Sequence, residues 1–253
     1  MKKIYTTRDI AEQQAYMWSG VKIEDEVSAC PGRRVHAYFF RHLSKTEPIV
    51  EAGCGIGTWV AYLRNKGFDI KGVEHDENLV SIIKKYTPNL PIQSGDVCRL
   101  PFKDCSMGAY ISLGVIEHFE DGVDRPLKEA WRVLRPGGVL ILTVPFNNVF
   151  RKVVAHPLRA IYLLAHRLRG GAVYFAEYRY SETEAREMGE KAGFKIIEMG
   201  TDDYNDKSRS MVIWSELPLL RDRNMPHDLN MVGRVMAFIM NVISKKILSA
   251  GIL

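Results

Sequence analysis

The segment Ile49-Val50-Glu51-Ala52-Gly53-Cys54-Gly55-Ile56-Gly57-Thr58-Trp59 constrains the fold more than any other part of the chain. A short apolar run ending in an acid meets three alternate glycines. A helix-like pattern follows, with Val60 and Leu63 on one side and Arg64 and Lys66 on the other. The pattern predicts a buried strand, a tight turn stripped of Cβ atoms, and a helix N-terminus aimed at a ligand. The spacing G-x-G-x-G lacks the third glycine of the dinucleotide fingerprint, where a pyrophosphate would lie against the helix.

The segments that follow extend the pattern. Lys71-Gly72-Val73-Glu74 reads as a second strand ending in an acid, 17 residues after Gly57. In a nucleotide-binding α/β sheet a carboxylate there accepts hydrogen bonds from both ribose hydroxyls. Gln93-Ser94-Gly95-Asp96-Val97 follows a third apolar stretch, Gly108–Leu113 reads as a fourth strand, and Leu134–Val144 as a turn leading into a fifth. Strands at 49–52, 70–74, 90–93, 108–113 and 139–144 alternate with helices at 58–66, 77–86 and 123–134. Such alternation implies a mostly parallel sheet with right-handed crossovers.

Taken in this order and spacing, the five segments resemble the class I S-adenosylmethionine-dependent methyltransferases, in the branch typified by ubiquinone-biosynthesis O-methyltransferases. The resemblance covers about Glu47 to Glu198. It implies an α/β fold with a doubly wound, seven-stranded, mostly parallel Rossmann-like sheet, and S-adenosyl-L-methionine lying across the carboxyl ends of the first strands. By resemblance, Glu51, Gly53, Gly55 and Gly57 hold the methionine end, with Cys54 inside the turn. Glu74, with His75 beside it, holds the ribose. Asp96 takes the adenine amino group, the Val97 amide faces the ring, and Leu113 contacts the cofactor through its backbone. The implied activity is methyl transfer to a small-molecule or lipid-like acceptor, expected at oxygen.

Methyl transfer from a sulfonium needs alignment, exclusion of water, and a base if the acceptor is a hydroxyl or amine. The candidate base is His118 in Leu113-Gly114-Val115-Ile116-Glu117-His118-Phe119, on the edge where ligands bind in open α/β sheets. The alternative for His118 is a structural hydrogen bond. Glu117 is expected to orient a loop.

Other classes fit less well. The fourth strand ends Ser112-Leu113-Gly114, without the Asp/Asn-Pro-Pro-aromatic motif used on nucleobase amino groups, and no cysteine follows a proline. Nucleic acid is therefore a disfavoured partner, although methylation of RNA ribose or of protein stays open. A nicotinamide-dependent oxidoreductase fails on the glycine spacing and has no recognisable catalytic Tyr-x-x-x-Lys. A non-catalytic adenosylmethionine-binding sensor or assembly module is the alternative from another class. Cysteines 30, 54, 98 and 105 show no C-x-x-C pair and no zinc spacing, so free thiols and no metal are expected.

Outside the core, residues 1–47 read as a helical N-terminal extension or lid. One face carries Ile10, Ala11, Gln14, Ala15 and Trp18, another Val35, Tyr38, Phe39 and Leu43. The methyltransferase-like domain is expected at 48–217, with a basic helical insertion at 145–180. Within the insertion, residues 151–180 carry Arg151, Lys152, Arg159, Arg167, Arg169 and Arg179 against Glu177 alone, in a chain of net charge +5. That excess suggests an anionic acceptor or an anionic surface, against the alternative of a solvated helix face. Pro157 would kink the insertion helix or start its main part. A capping box at Ser181–Glu184 starts the next helix. Phe194–Glu198 and Ser210–Glu216 are the expected last two strands.

Residues 218–253 read as a linker and a C-terminal amphipathic helix. Asn230, Arg234, Asn241 and Lys245 form its narrow polar face, and apolar residues crowd the rest. Its uncharged stretch is too short to span a bilayer, so it must pack on its own domain, on a second copy through 229–253, or on a membrane surface. Residues 1–20 show no apolar leader. The expected location is the cytoplasm, with the membrane periphery as alternative.

Overall fold

A computed structural model describes residues 1–9, 12, 18, 20–222 and 227–253. The expected face at Ile10, Ala11, Gln14 and Ala15 lies outside these residues. The chain opens with a strand, β1 (Lys2–Thr6), where a helix was expected; Ile4 is its buried side chain, and Tyr5 and Thr6 favour extended backbone. Helices α1 (Ile23–Ala29) and α2 (Val35–His42) follow.

The core then alternates as β2 (Ile49–Ala52), α3 (Thr58–Asn65), β3 (Ile70–Glu74), α4 (Glu77–Tyr86), β4 (Ile92–Ser94), β5 (Met107–Leu113), α5 (Asp124–Val133) and β6 (Leu134–Pro145). All four residues of β2 are buried, as a central parallel strand covered on both faces requires. Successive side chains alternate between the faces. Ile49, Ile70 and Ile111 join Phe39, Val60 and Leu63 in one cluster, while Val50, Val73 and Tyr110 join Ala130 and Val133 in another.

Beyond β6 the chain forms a π-helical turn (Arg151–Ala155), α6 (His156–Leu168), β7 (Tyr174–Arg179), α7 (Glu182–Lys191), β8 (Thr201–Asp202), α8 (Met211–Glu216), α9 (Met231–Ile243), α10 (Lys245–Leu248) and β9 (Gly251–Ile252). Pro157 stands in the first turn of α6, directly after the π-helical turn. Its missing N–H accounts for the local change of hydrogen-bond pattern. The expected capping box is present, with Ser181 and Glu184 bonded reciprocally at the start of α7.

The seven-stranded sheet has the order β4-β3-β2-β5-β6-β9-β8. The pairings from β4 through β6 are parallel; β9 runs antiparallel between β6 and β8, with Ile252 facing Val144 and Thr201. The last two strands are therefore not those expected. Phe194–Glu198 forms no strand: Phe194 turns onto Trp131, ring centroids 5.1 Å apart, and Ile197 is exposed. Ser210–Glu216 is a helix. Ser210 caps it by accepting from the Ile213 amide, and Val212, Ile213 and Glu216 share its buried side. A short apolar run cannot distinguish the two periods, and the N-cap decides for the helix. A separate antiparallel pair, β1–β7, stands beside the turn that follows β5.

Candidate functional site

The order of strand addition reverses between β2 and β5: from β2 the connections run outward through β3 to β4, and then return to β5 on the other side, these strands all staying parallel. A crevice outside the strand carboxyl ends is the expected ligand site at such a point. The turn Gly53–Gly57 lies there. Its three glycines take φ of +78°, +54° and +82°, values open to glycine and unfavourable for other residues. A Cβ on Gly55 would overlap the indole of Trp18, and one on Gly57 would overlap Ile92. Trp18 thus lies directly over the turn.

Two acids flank it. Glu51 is 3 % exposed, and its Oε2 has no hydrogen-bond partner. Burial pushes its carboxyl up to about 8, against the Val60 amide that lowers it. Glu74 is held differently. Its Oε2 accepts from the Gly55 N–H at 2.8 Å, and its Oε1 accepts from the His75 and Asp76 amides at 2.9 and 3.1 Å. The second acid therefore braces the glycine turn, a role the sequence reading did not foresee. The His75 side chain is exposed.

Around the same edge, Cys54 is buried and its thiol sits well above its ordinary range through burial. Asp96 is exposed at the end of β4 and accepts from the Cys98 amide at 2.7 Å, while Val97 beneath it is buried. Leu113, half-buried, ends β5 opposite Thr143 of β6. Ser112, just before it, is buried with its Oγ unpartnered.

The turn Ile116–His118 follows β5. His118 Nδ1 donates to the Ala176 carbonyl of β7 at 2.7 Å, leaving Nε2 as the free ring nitrogen. Desolvation pulls its pKa down, but Glu117, Glu177 and the Ala176 carbonyl outweigh this and raise it. Glu117 is 2 % exposed; burial lifts its carboxyl to about 7, and its Oε2 is unpartnered. Tyr180 close by is buried with an unpartnered hydroxyl.

Beneath His118 lies a charge network that the sequence did not reveal. Glu216 of α8 accepts from Arg151 Nε at 3.0 Å, from the guanidinium of Arg159 at 2.9 Å and from that of Arg179 at 2.6 Å. Arg179 also donates to Glu177 at 2.6 Å, and Arg151 donates to the Phe146 and Ala250 carbonyls. Against its own burial, the three cations hold the Glu216 carboxyl at about 2. Half of the arginine and lysine excess read from the insertion is thus spent inside the protein. Lys152, Arg167 and Arg169 remain exposed.

Residues 50–142 match the family model described as a methyltransferase domain. A protein of Mycolicibacterium smegmatis named as a probable S-adenosylmethionine-dependent methyltransferase is 27 % identical over 176 residues, 66 % of this chain and 63 % of the relative. A demethylmenaquinone methyltransferase of Beutenbergia cavernae is 35 % identical over 97 residues, 38 % of this chain and 40 % of that protein. The chain thus spans less than two thirds of either relative's length. A solved S-adenosylmethionine-dependent methyltransferase from Archaeoglobus fulgidus superposes with a TM-score of 0.58 at 11 % identity, covering 96 % of this chain and 97 % of that one; at this identity the likeness is one of fold.

Proposed function

We propose, from its membership of the class I S-adenosylmethionine-dependent methyltransferase superfamily, that this chain binds S-adenosylmethionine across the ends of β2, β3 and β4 and methylates a small-molecule or lipid-like acceptor at oxygen. The observation carrying the reading is the turn Gly53–Gly57 at the reversal of strand order, with acids ending β2 and β3 on either side.

The side chains present fit the group. Glu51 Oε2 and Ser112 Oγ are buried without partners, as expected of atoms that await a ligand's ammonium or carboxylate. On this reading Glu51 and the backbone of Gly53, Cys54, Gly55 and Gly57 would hold the methionine end. Glu74, with spare lone pairs after its amide bonds, and the neighbouring His75 would hold the ribose. Asp96, Val97 and Leu113 would border the adenine, and Trp18 would close the turn from solvent.

When bound, S-adenosylmethionine supplies an electrophilic methyl on a sulfonium whose leaving group departs neutral. The protein's part is to place the acceptor oxygen in line and to receive its proton. His118 is suited to that second task. Its Nδ1–H is committed to Ala176, so Nε2 offers the lone pair, and the acids beside it stabilise the imidazolium that would form. An oxygen acceptor draws support from this free base, and a lipid-like one from the quinone substrate in the name of the Beutenbergia relative.

Calorimetry with S-adenosylmethionine and S-adenosylhomocysteine, with NAD as control, tests the cofactor. Binding of both and not of NAD is expected. A folded protein that binds neither would sink the proposal and leave a repurposed pocket.

A further inference from the structure

We propose that α6 and α9 dock the protein on an anionic bilayer surface, lying in its interface without crossing it. Residues 149–173 and 229–253 contain no aspartate or glutamate. In each helix the polar or small face turns inward and the apolar face outward, the reverse of ordinary helix burial.

In α9 the inward residues are Gly233, Ala237 and Asn241, whose Nδ2 donates to the Lys207 carbonyl at 3.0 Å. The helix's charged residue, Arg234, is neutralised by Asp228 at 2.6 Å. Val232, Val235, Phe238, Ile239, Val242 and Ile243 are all more than half exposed. At about 100° per residue they form one arc opposite the buried side.

In α6, Arg159 and His156 face the protein through Glu216 and Asn147, whereas Leu158, Ile161, Leu164 and Leu168 are exposed. On the same helical spacing Arg167 and Arg169 fall on either side of that apolar arc, where long cationic side chains reach lipid phosphates while their stems lie on hydrocarbon. The π-helical turn that leads into α6 and the inner face of α9 meet one cluster, which holds Val154 and Ala155 beside Met236, Ala237 and Met240. Together the two helices hold most of the exposed large apolar side chains among the described residues. Exposed apolar arcs of that kind mark interaction surfaces.

Charge selects the occupant. Lys152, Arg167 and Arg169 are exposed with no acid in either helix, which complements anionic lipid. A second copy applied to the same face would bring like charges together. Spanning is excluded by length: no helix of the described residues is long and apolar enough, and the 13 residues of α9 reach only about 20 Å of a core about 30 Å thick. The insertion carrying α6 leaves from the carboxyl end of β6, on the edge that holds the candidate site. Docking would then present that edge to a membrane-borne acceptor, a consequence that rests on the function proposed above.

The test is co-sedimentation of the full chain with vesicles of phosphatidylcholine alone, and of phosphatidylcholine with about one third phosphatidylglycerol. Partition onto the anionic vesicles, weakened at high salt, is expected. I161E/L164E and V235E/I239E should each lower it at least tenfold, with circular dichroism and S-adenosylhomocysteine affinity unchanged because all four side chains are exposed. No partition of the wild type, or equal partition of both variants, would overturn the proposal. So would a concentration-dependent dimer that the same variants dissolve. Loss of cofactor binding with vesicle binding intact would overturn the site assignment and leave docking standing.

Discussion

His118 donates its Nδ1–H to the Ala176 carbonyl across 2.7 Å, so β7 of the insertion sets the orientation of the histidine that follows β5. The tautomer follows from this bond, because a carbonyl can only accept. His118→Ala is expected to lower kcat by about 10²- to 10⁴-fold, the usual worth of a positioned base, with S-adenosylhomocysteine affinity nearly intact. Unchanged turnover would return His118 to a structural role.

A pH profile separates those roles further. The base works when neutral, so turnover should rise with pH through a pKa above the ordinary 6.5, where Glu117 and Glu177 hold it. Glu177→Gln removes one of those charges and should move the acid limb of kcat to lower pH. An unmoved limb would show that the titration belongs to another group.

Glu51 carries the opposite kind of strain. Its folded pKa of about 8 exceeds the ordinary 4.5, so the folded state binds the proton more tightly than the unfolded one. The ligand-free protein should therefore lose stability as pH rises from about 4.5 through about 8. Glu51→Gln should flatten that slope and raise stability at pH 8 by on the order of 2 kcal/mol, while weakening S-adenosylmethionine binding. Thermal melts at pH 6 and 8, with and without ligand, would read both effects; parallel curves for the two proteins would refute the assignment.

The central half of the molecule was legible because each signal there is local. Gly53–Gly57 marks a turn, that turn bounds Ile49–Ala52 too closely for a helix, and Ser181–Glu184 marks a helix start. The failures lie where partners are distant in sequence. Nothing near Glu216 announces that Arg151, Arg159 and Arg179 converge on it, so the insertion read as a basic surface when half of its charge is internal. Likewise Gly251–Ile252 carries no strand pattern of its own, and only pairing with Val144 and Thr201 makes it one. The arc of α9 was visible, but periodicity cannot say which side of a helix faces the protein, and Gly233 and Ala237 win because small residues allow close approach to Leu220 and Leu229.

Glu216 is the pin between insertion and core. Glu216→Gln leaves Arg151 and Arg179 buried beside a neutral amide and should cost about 3–5 kcal/mol. With a folded pKa of about 2 against an ordinary 4.5, its contribution is full above about 4.5 and is lost as pH falls towards 2. Urea unfolding at pH 6 and pH 3 should show the wild type losing more stability than the variant; equal losses would assign the acid sensitivity elsewhere.

Gly55 and Trp18 offer a coupled test of the lid. Gly55→Ala introduces two faults, a Cβ that overlaps the indole of Trp18 and a side chain at φ of +54°. The second alone costs about 1–2 kcal/mol. Trp18→Ala relieves the first fault and leaves the second, so the double variant should recover part of the lost S-adenosylhomocysteine affinity, though not all of it. If Trp18 closes the turn over bound cofactor, Trp18→Ala by itself should also speed S-adenosylhomocysteine release in stopped-flow measurements. Strictly additive affinities in the double-mutant cycle would mean that the two residues do not meet in solution, and the lid would have to be sought elsewhere.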